Sequence, residues 1–517
     1  MSSFLSRALA SVAPSYATAR AQARLRFEQV ETQRASLRGI RAQYDGATHS
    51  RRSQGWRRTG RDANSELAGA AHILAQTARD MVRNNPYAER AVSAISSDLV
   101  GTGITFEVQR NGEPDAEMTA LAKAHFETTA CDADGRSNLY GLQLLAARTV
   151  VESGSVLARN RPRFARDGYV VPFQLQLLEP DHLDANRNGI FTGGAYISGI
   201  QLDMLGNRQS YWLYPEHPGA MNARSLQPTP VPAIDVLHVF RQDRPGQMHG
   251  ASWFAPVILA MREFADYQDA QLLRQKIAAS YAIFRTGMEG EDGDVDPDVD
   301  YADFIEPGMI ETLPFGADVK FADPPGVDGY VDFAKISIRT FATGMNLPYD
   351  IFGDLEAVNF SSGRIGRIAY NRQLDSWTWN MLIPQFCEPA GLWFLRAAAL
   401  TGKDVTGCKF VWTPPRREML DLATEGPAIR DMVRSGLMDP ETAIRERGEN
   451  PDTVIAAWAR WAKKVDDAGL IFDCDPRHVT QVGNATQNGA TAPRDVASAT
   501  SQEGLNHGNS GLWRRRR

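Results

Sequence analysis

Residues 344–364 read GMNLPYDIFGDLEAVNFSSGR, a stretch rich in Gly, Asn and Ser between two segments of helical periodicity. On its N-terminal side, residues 330–343 read as a helix. On its C-terminal side, residues 364–400 read as a second, very long helix, broken or kinked near Pro384 and Pro389 because proline removes a backbone donor. Unbroken, it would span about 55 Å at 1.5 Å per residue. Further out, Phe254, Val257, Ile258, Met261, Phe264, Leu272, Leu273 and Ile277 mark a long helix over residues 252–283, with Ser252 as its candidate N-cap. Residues 286–329 turn to Gly, Pro and Asp, a small irregular insertion. A helix, an excursion, a returning helix, a polar loop and a very long helix make a poor enzyme core. One such chain buries too little of these helices alone, so oligomerisation is expected.

The flanks complete an α+β reading. Leu67, Ala70, Ile73, Leu74, Ala78, Met81 and Val82 recur at helical spacing, Pro86 interrupts, and Ala91, Val92, Ile95 and Leu99 resume before Gly101 and Gly103. A strand is expected to begin at Ile104–Val108, a helix at 140–160, and short strands over 169–240. Asn188-Gly189 and Gly206-Asn207 are hairpin-type dipeptides there. Residues 408–415 read as a strand and 416–468 as short helices. After residue 478 the chain turns to Asn, Gly, Thr, Ala and Ser, as disordered tails do.

The 517 residues are 43% apolar and 23% charged, near the globular average. No run of 18 apolar residues exists, so no transmembrane helix and no membrane partner is expected. The four cysteines make no CxxC pair, which disfavours a zinc site or disulfide framework and fits a reducing compartment. Net charge is −6, unevenly spread: residues 1–61 hold twelve Arg and three acids, and residues 478–517 hold five Arg and two acids. The residues between carry −18. This is an acidic body with a basic arm and a basic tip. An Arg-rich, acid-poor start can also mimic a transit peptide, but a mobile arm that orders against a partner is the simpler reading.

Motifs for chemistry are mostly missing. There is no GxxxxGK[ST], HExxH or GxSxG, and Gly101-Thr102-Gly103 lacks the third glycine of a dinucleotide fingerprint. No catalytic residue, metal ligand or cofactor is expected. Asp184-Ala185-Asn186-Arg187-Asn188-Gly189 imitates half an EF-hand loop, but Ala195 stands where the bidentate Glu belongs, so a turn capped by Asn and Asp is expected. Residues 289–306 hold nine acids and no Lys or Arg. They read as a solvated loop or as an acidic surface that meets a basic partner or repels DNA.

Four stretches occur in order. The first is Arg79-Asp80-Met81-Val82-Arg83-Asn84-Asn85-Pro86-Tyr87-Ala88, followed by Val100-Gly101-Thr102-Gly103-Ile104. The second is Leu178-Glu179-Pro180-Asp181, followed by Gly199-Ile200-Gln201-Leu202-Asp203 and Tyr211-Trp212. The third is His238-Val239-Phe240, then Arg244-Pro245-Gly246-Gln247 and Gly250. The fourth is Gly344-Met345-Asn346-Leu347-Pro348-Tyr349, then Asn359-Phe360-Ser361-Ser362-Gly363-Arg364. Together they resemble the portal proteins of tailed bacteriophages, in particular the lambda-type family, which usually has Arg where His249 stands.

The resemblance implies a ring of about twelve subunits at one capsid vertex, each with a mixed α/β wing, two-helix stem, small clip, tunnel loop, long helix and helical crown. Mapped here, it implies a basic arm at 1–65, wing at 66–251, stem helix at 252–285 and clip at 286–329. The second stem helix falls at 330–343, the tunnel loop at 344–363, the long helix with a returning wing strand at 364–415, crown-like helices at 416–477 and the tail at 478–517. The implied partners are other copies of the chain, the terminase large subunit, the major capsid protein, head–tail connector proteins and double-stranded DNA without sequence specificity. The implied location is the virion, with the host cytoplasm during assembly. Asn359, Ser361, Ser362 and Arg364 would touch DNA from the tunnel loop, and Asp294, Asp296 and Asp298 would dock partners at the clip. Ser361 or Ser362 could instead cap the long helix, Arg364 could bridge to a neighbouring subunit, and Gly344 and Gly353 would give the loop freedom to move. A scaffold that binds DNA or capsid through its basic arm without forming a channel is the alternative, and a hydrolase with a scattered triad a weaker one.

Overall fold

The computed structural model describes residues 22–23, 25–31, 51, 55, 59–222, 225, 227–279, 283–287, 317–321, 329–352, 360–417, 419, 421–470 and 472. They fall into two units, 1–62 and 63–517. In the first, residues 25–31 are helical. All that follows concerns the second.

It opens with three helices, α1 (Ala63–Leu67), α2 (Ala70–Asn84) and α3 (Pro86–Val100). Pro86 does interrupt the helical pattern, and it does so by starting a new helix: it occupies the first turn of α3, where no N–H is needed, while the Asn85 side chain accepts from the Tyr87 and Ala88 amides. Strands β1 (Thr105–Arg110) and β2 (Glu113–Pro114) lead to α4 (Ala116–Phe126) and α5 (Leu139–Ser153). The helix expected over 140–160 stops at Ser153. Gly154, at φ 89°, turns the chain into β3 (Ser155–Pro162), which a helical periodicity count cannot separate from a helix end.

Strands β4 (Phe173–Leu178), β5 (Gly189–Phe191), β6 (Gly194–Ile197), β7 (Ile200–Asp203), β8 (Arg208–Leu213), β9 (Thr229–Pro232) and β10 (Val236–Phe240) fill the region read as short strands. All pair antiparallel, as a five-stranded meander β5-β6-β7-β8-β9 and a three-stranded sheet β10-β3-β4. Gly206-Asn207 does close the β7–β8 hairpin, with Asp203 Oδ1 accepting from the Leu205 and Asn207 amides. Asn188-Gly189 closes no hairpin of its own. Asn188 Oδ1 accepts from the Ser198 amide, and Asp184 accepts from Arg187 and the Tyr214 hydroxyl, so the calcium-like stretch is a side-chain-capped turn.

The first long helix, α6 (Ile258–Ala279), starts six residues later than expected. Ser252 caps an earlier turn instead: its buried hydroxyl accepts from the Phe254 amide. At the other end, residues from Ile283 leave the helix for β11 (Ile283–Gly287), which pairs with β12 (Ala317–Phe321), so the insertion is bounded by a two-stranded ribbon. The returning helix α7 (Tyr330–Gly344) matches its expected range closely.

The very long helix is unbroken across its prolines. It runs as α8 (Phe360–Trp377), a π-helical stretch Thr378–Cys387 and α9 (Glu388–Leu400). Pro384 lies inside the wider π turns and Pro389 in the first turn of α9. Strand β13 (Cys408–Thr413) then pairs with β1 in the order β13-β1-β2. Three helices finish the described chain: α10 (Leu422–Arg434), α11 (Pro440–Arg445) and α12 (Pro451–Asp467).

The main core lies where α3, α5 and the long helix meet the β1 and β3 sheets. Phe106, Phe126, Phe173, Phe394 and Phe410 form an aromatic cluster with centroids 5.3–6.4 Å apart, and His125 stacks on Phe173 at 4.8 Å. Gln385, on the π stretch, accepts from the Phe240 amide, and Trp393 donates to the Ile234 carbonyl. These two bonds tie the long helix to β10 and the turn before it.

Candidate functional site

The paired helices α6 and α7 touch through one aromatic seam. Tyr267 meets Phe333 at 4.6 Å and Tyr330 at 6.0 Å, and Phe264 meets Phe341 at 5.6 Å. Tyr87 of α3 packs on Phe264, Phe341 and Phe352, which anchors the body end of the pair. Outside that seam the helices keep apolar side chains in water. Leu272 and Leu273 on α6 are 50% and 59% exposed, and Val331 and Ile336 on α7 are both 61% exposed. A groove of about 450 Å³ between the start of α6 and the end of α7 is lined by Pro256, Val257, Ile336, Arg339, Thr340 and Gly344. Contiguous apolar faces of this kind are the feature by which interaction surfaces are recognised.

The end of α7 corrects one expectation. Gly344 is the last residue of the helix, and a Cβ there would stand 2.2 Å from Val257 Cγ1. It is a glycine for close packing, and the freedom expected of it is absent. Asn346, at φ 55°, turns the chain instead.

Of the residues proposed to touch DNA, Asn359 lies outside the described residues, as does Gly353. Ser361 and Ser362 sit in the first turn of α8, past the capping position. Arg364, half-buried one turn in, pairs with Glu425 of α10 at 3.4 Å. Arg367, one turn on, pairs with Asp98 of α3 at 3.4 Å. Asp294, Asp296 and Asp298 lie outside the described residues.

A second constellation gathers residues from three of the sequence motifs. Arg79 of α2 donates to Asp181 in the Glu179-Pro180-Asp181 turn, to Ser153 Oγ at 3.0 Å, and stands 3.4 Å from Glu179. Desolvation pushes Asp181 up, yet the hydrogen bond and charge of Arg79 outweigh it and hold the carboxyl below its ordinary value. His72 reaches Asp181 and His217 reaches Glu179, each at 3.4 Å. Close by, Gln247 accepts from the Asp243 and Arg244 amides and donates to the His249 carbonyl, which builds the turn through Arg244-Pro245-Gly246-Gln247. Asn64 fastens that turn to α1 through the Gly246 carbonyl and the Met248 amide. Three motifs thus converge around one cleft of about 460 Å³, lined in part by His72, Asp181, Ser153, Tyr214 and His249.

Glu179, Asp181 and His217 bring their ligand atoms within 4.8 Å of one another, a spacing that suits a metal. The chemistry does not. The Arg79 guanidinium already occupies both carboxylates. His217 Nδ1 accepts from the Gly219 amide, so in the neutral ring the proton sits on Nε2, the atom aimed at Glu179. His249 is similarly committed. Burial lowers it to about 4, and Nε2 donates to the Ser198 carbonyl, so the ring is neutral and its donor is already used. Burial also pushes the Cys131 thiol up to about 12 and the Cys387 thiol higher still, which leaves both unreactive at neutral pH.

No curated protein matches the sequence. Several solved structures are similar to it. The neck of an empty gene transfer agent particle, computed with C6 symmetry, is 14% identical, with a TM-score of 0.41 over 74% of this chain and 94% of that one. The neck of a native particle, computed with C12 symmetry, is 13% identical, with a TM-score of 0.43 over 75% and 99%. The virion of a native gene transfer agent is 14% identical, with a TM-score of 0.44 over 75% and 99%. The family model described as phage portal protein, lambda family, matches residues 49–378, and with well over half of its sequence inside that match the chain belongs to the lambda family of phage portal proteins.

Proposed function

We propose that this chain assembles into a ring of about twelve copies that forms the DNA channel at one vertex of a virion. The observation that carries this reading is the α6–α7 pair, whose apolar side chains outside the aromatic seam are left in water by the chain's own fold. Burying a Leu or Ile fully stabilises by about 1.5–3 kcal/mol, so neighbours that cover these faces gain substantially. In this reading α6 and α7 are the stem, residues 286–329 the clip, 344–363 the tunnel loop, α8 to α9 the long helix, and 416–477 the crown. The terminase docks at the clip and supplies the energy for packaging. Head–tail connectors take the same face later, and the shell of major capsid protein holds the wing. The subunits assemble in the host cytoplasm before they become part of the virion.

The acidic body has a use in this role. DNA carries about one negative charge per 1.7 Å of axis, so a basic lining would hold it while an acidic one lets it slide. Asn359, Ser361 and Ser362 offer polar, uncharged contacts that grip phosphates weakly and release them. Native mass spectrometry of the purified chain, with negative-stain class averages, tests the proposal. Rings with a central hole and about a dozen subunits are expected, and a monomer alone at micromolar concentration overturns it.

A further inference from the structure

Strand β3 carries an arginine at every second position after Leu157: Arg159, Arg161 and, one residue past its end, Arg163. Alternation puts them on one face of the β10-β3-β4 sheet, about 6.6 Å apart along the strand. The same face begins in the second core cluster, where Leu157 joins Leu178 and Val236, and then turns polar. Gln176 of β4 stands opposite Arg159, and Gln174 opposite Arg161. Each glutamine braces the arginine one pair further along. Gln176 Oε1 accepts from Arg161 Nε and Gln174 Oε1 from Arg163 Nε, both at 2.6 Å. Gln174 is 4% exposed, and its amide donates to the Ala130 and Asp132 carbonyls, so this brace is itself fixed.

The braces use Nε alone and leave the terminal amino groups of both guanidiniums without a partner among the described residues. None of the three half-buried arginines forms an ion pair there. Asp235 acts on Arg159 through its charge, while its Oδ1 accepts from Asn160 Nδ2 at 3.1 Å. Burial, and for Arg161 the charges of Arg159 and Arg163, hold Arg159 and Arg161 below their ordinary value. A half-buried row of like charge is costly until an anion completes it.

We propose that Arg159, Arg161 and Arg163 form a phosphate ladder that holds the backbone of double-stranded DNA against this sheet. The planar guanidinium fork takes two oxygens at once, which matches a phosphate better than a lysine does. A straight row of three forks suits a polymer of continuous charge, and duplex DNA carries about one charge per 1.7 Å of axis. The braces hold two of the forks in place before binding, which lowers the ordering cost. The ladder therefore grips DNA where the acidic body lets it slide. The choice of DNA rests on the function proposed above, whereas the site itself lies within one chain and needs no ring.

Binding of the full-length protein to a short duplex of mixed sequence, followed from low to high salt, tests the ladder. Each phosphate contact contributes about 0.9 to the slope of log K against log salt. Arg159→Gln, Arg161→Gln and Arg163→Gln together should therefore lower that slope by about 2.7, with the circular dichroism spectrum unchanged. Gln176→Glu keeps all three arginines but gives Arg161 a carboxylate of its own, so it should lower the slope by about 0.9. Arginine modification by phenylglyoxal, read peptide by peptide, locates the contact. DNA should protect the three arginines and leave Arg241, already paired with Asp243, unchanged. An unchanged slope in the triple variant, or no protection by DNA, overturns the ladder. So does protection by polyglutamate in place of DNA, because the row would then take an acidic polypeptide. Protection already complete in the protein alone overturns it as well, since a neighbouring copy would cover the face. Neither readout requires rings, so native mass spectrometry separates a failure of this site from a failure of the channel.

Discussion

The Arg364 guanidinium stands 3.4 Å from the Glu425 carboxylate, so the first turns of α8 are tied to α10 within one chain. Both side chains keep about a third of their surface in water. A pair so exposed contributes about 0–1 kcal/mol, little enough for a phosphate oxygen to replace Glu425 when DNA is present.

We therefore expect Arg364→Ala and Glu425→Ala each to lower thermal stability by no more than about 1 kcal/mol, with a double-mutant coupling of the same size. A coupling above about 2 kcal/mol would mark the pair as structural and unavailable to DNA. For the polar residues beside it, Asn359→Ala combined with Ser361→Ala should leave ring assembly intact and lower DNA retention after packaging. Encapsidated genome length in assembled particles is the readout, and full-length, stably held genomes would make this segment purely structural.

Arg79 and Asp181 behave differently, because the Asp181 side chain is only 7% exposed. Removing one partner of a buried pair costs about 3–5 kcal/mol. Asp181→Ala should thus destabilise the fold strongly in denaturant melts, whereas Asp80→Ala, at the exposed neighbour of Arg79 on α2, should change little. The pair is also acid-sensitive. Asp181 has a lowered folded pKa, so its stabilisation is present above the ordinary value of 3.8 and is lost as pH falls through the depressed one.

His125 sets a second acid limit, at higher pH. Burial among Phe126, Phe173 and Phe394 lowers it from 6.5 to about 4. The unfolded chain then binds a proton that the folded one refuses, so stability falls as pH drops from 6.5 to 4, by up to about 3 kcal/mol. His125→Phe keeps the stacking on Phe173 and removes the proton site. Its stability should decline less than that of the wild type over this interval, as measured by urea midpoints at pH 7, 5.5 and 4.

The acidic insertion yields a test without reference to its conformation. Reversing charge at Asp294, Asp296 and Asp298 should let rings form and block DNA packaging or head joining. A triple mutant that packages normally would reduce the segment to a solvated loop.

Much of the fold was legible in local pattern. The helix over 330–343, the short helices after 416 and the β13 strand are encoded by neighbours three, four or two residues apart, which is the range over which periodicity acts. The family was legible too, because four motifs in order survive as text. The tertiary structure decided what those residues do. Arg79 and Asp181 are 102 residues apart, and nothing near either one announces the other. Gly344 looks like a hinge in sequence and becomes a packing contact only when Val257 is brought against it. Ser252 loses the helix to Ile258, and Pro384 sits within an unbroken helix because π turns accommodate it. Periodicity is a property of the chain alone, whereas a partner's identity depends on which distant surface arrives, and that is set by the packing of the whole core.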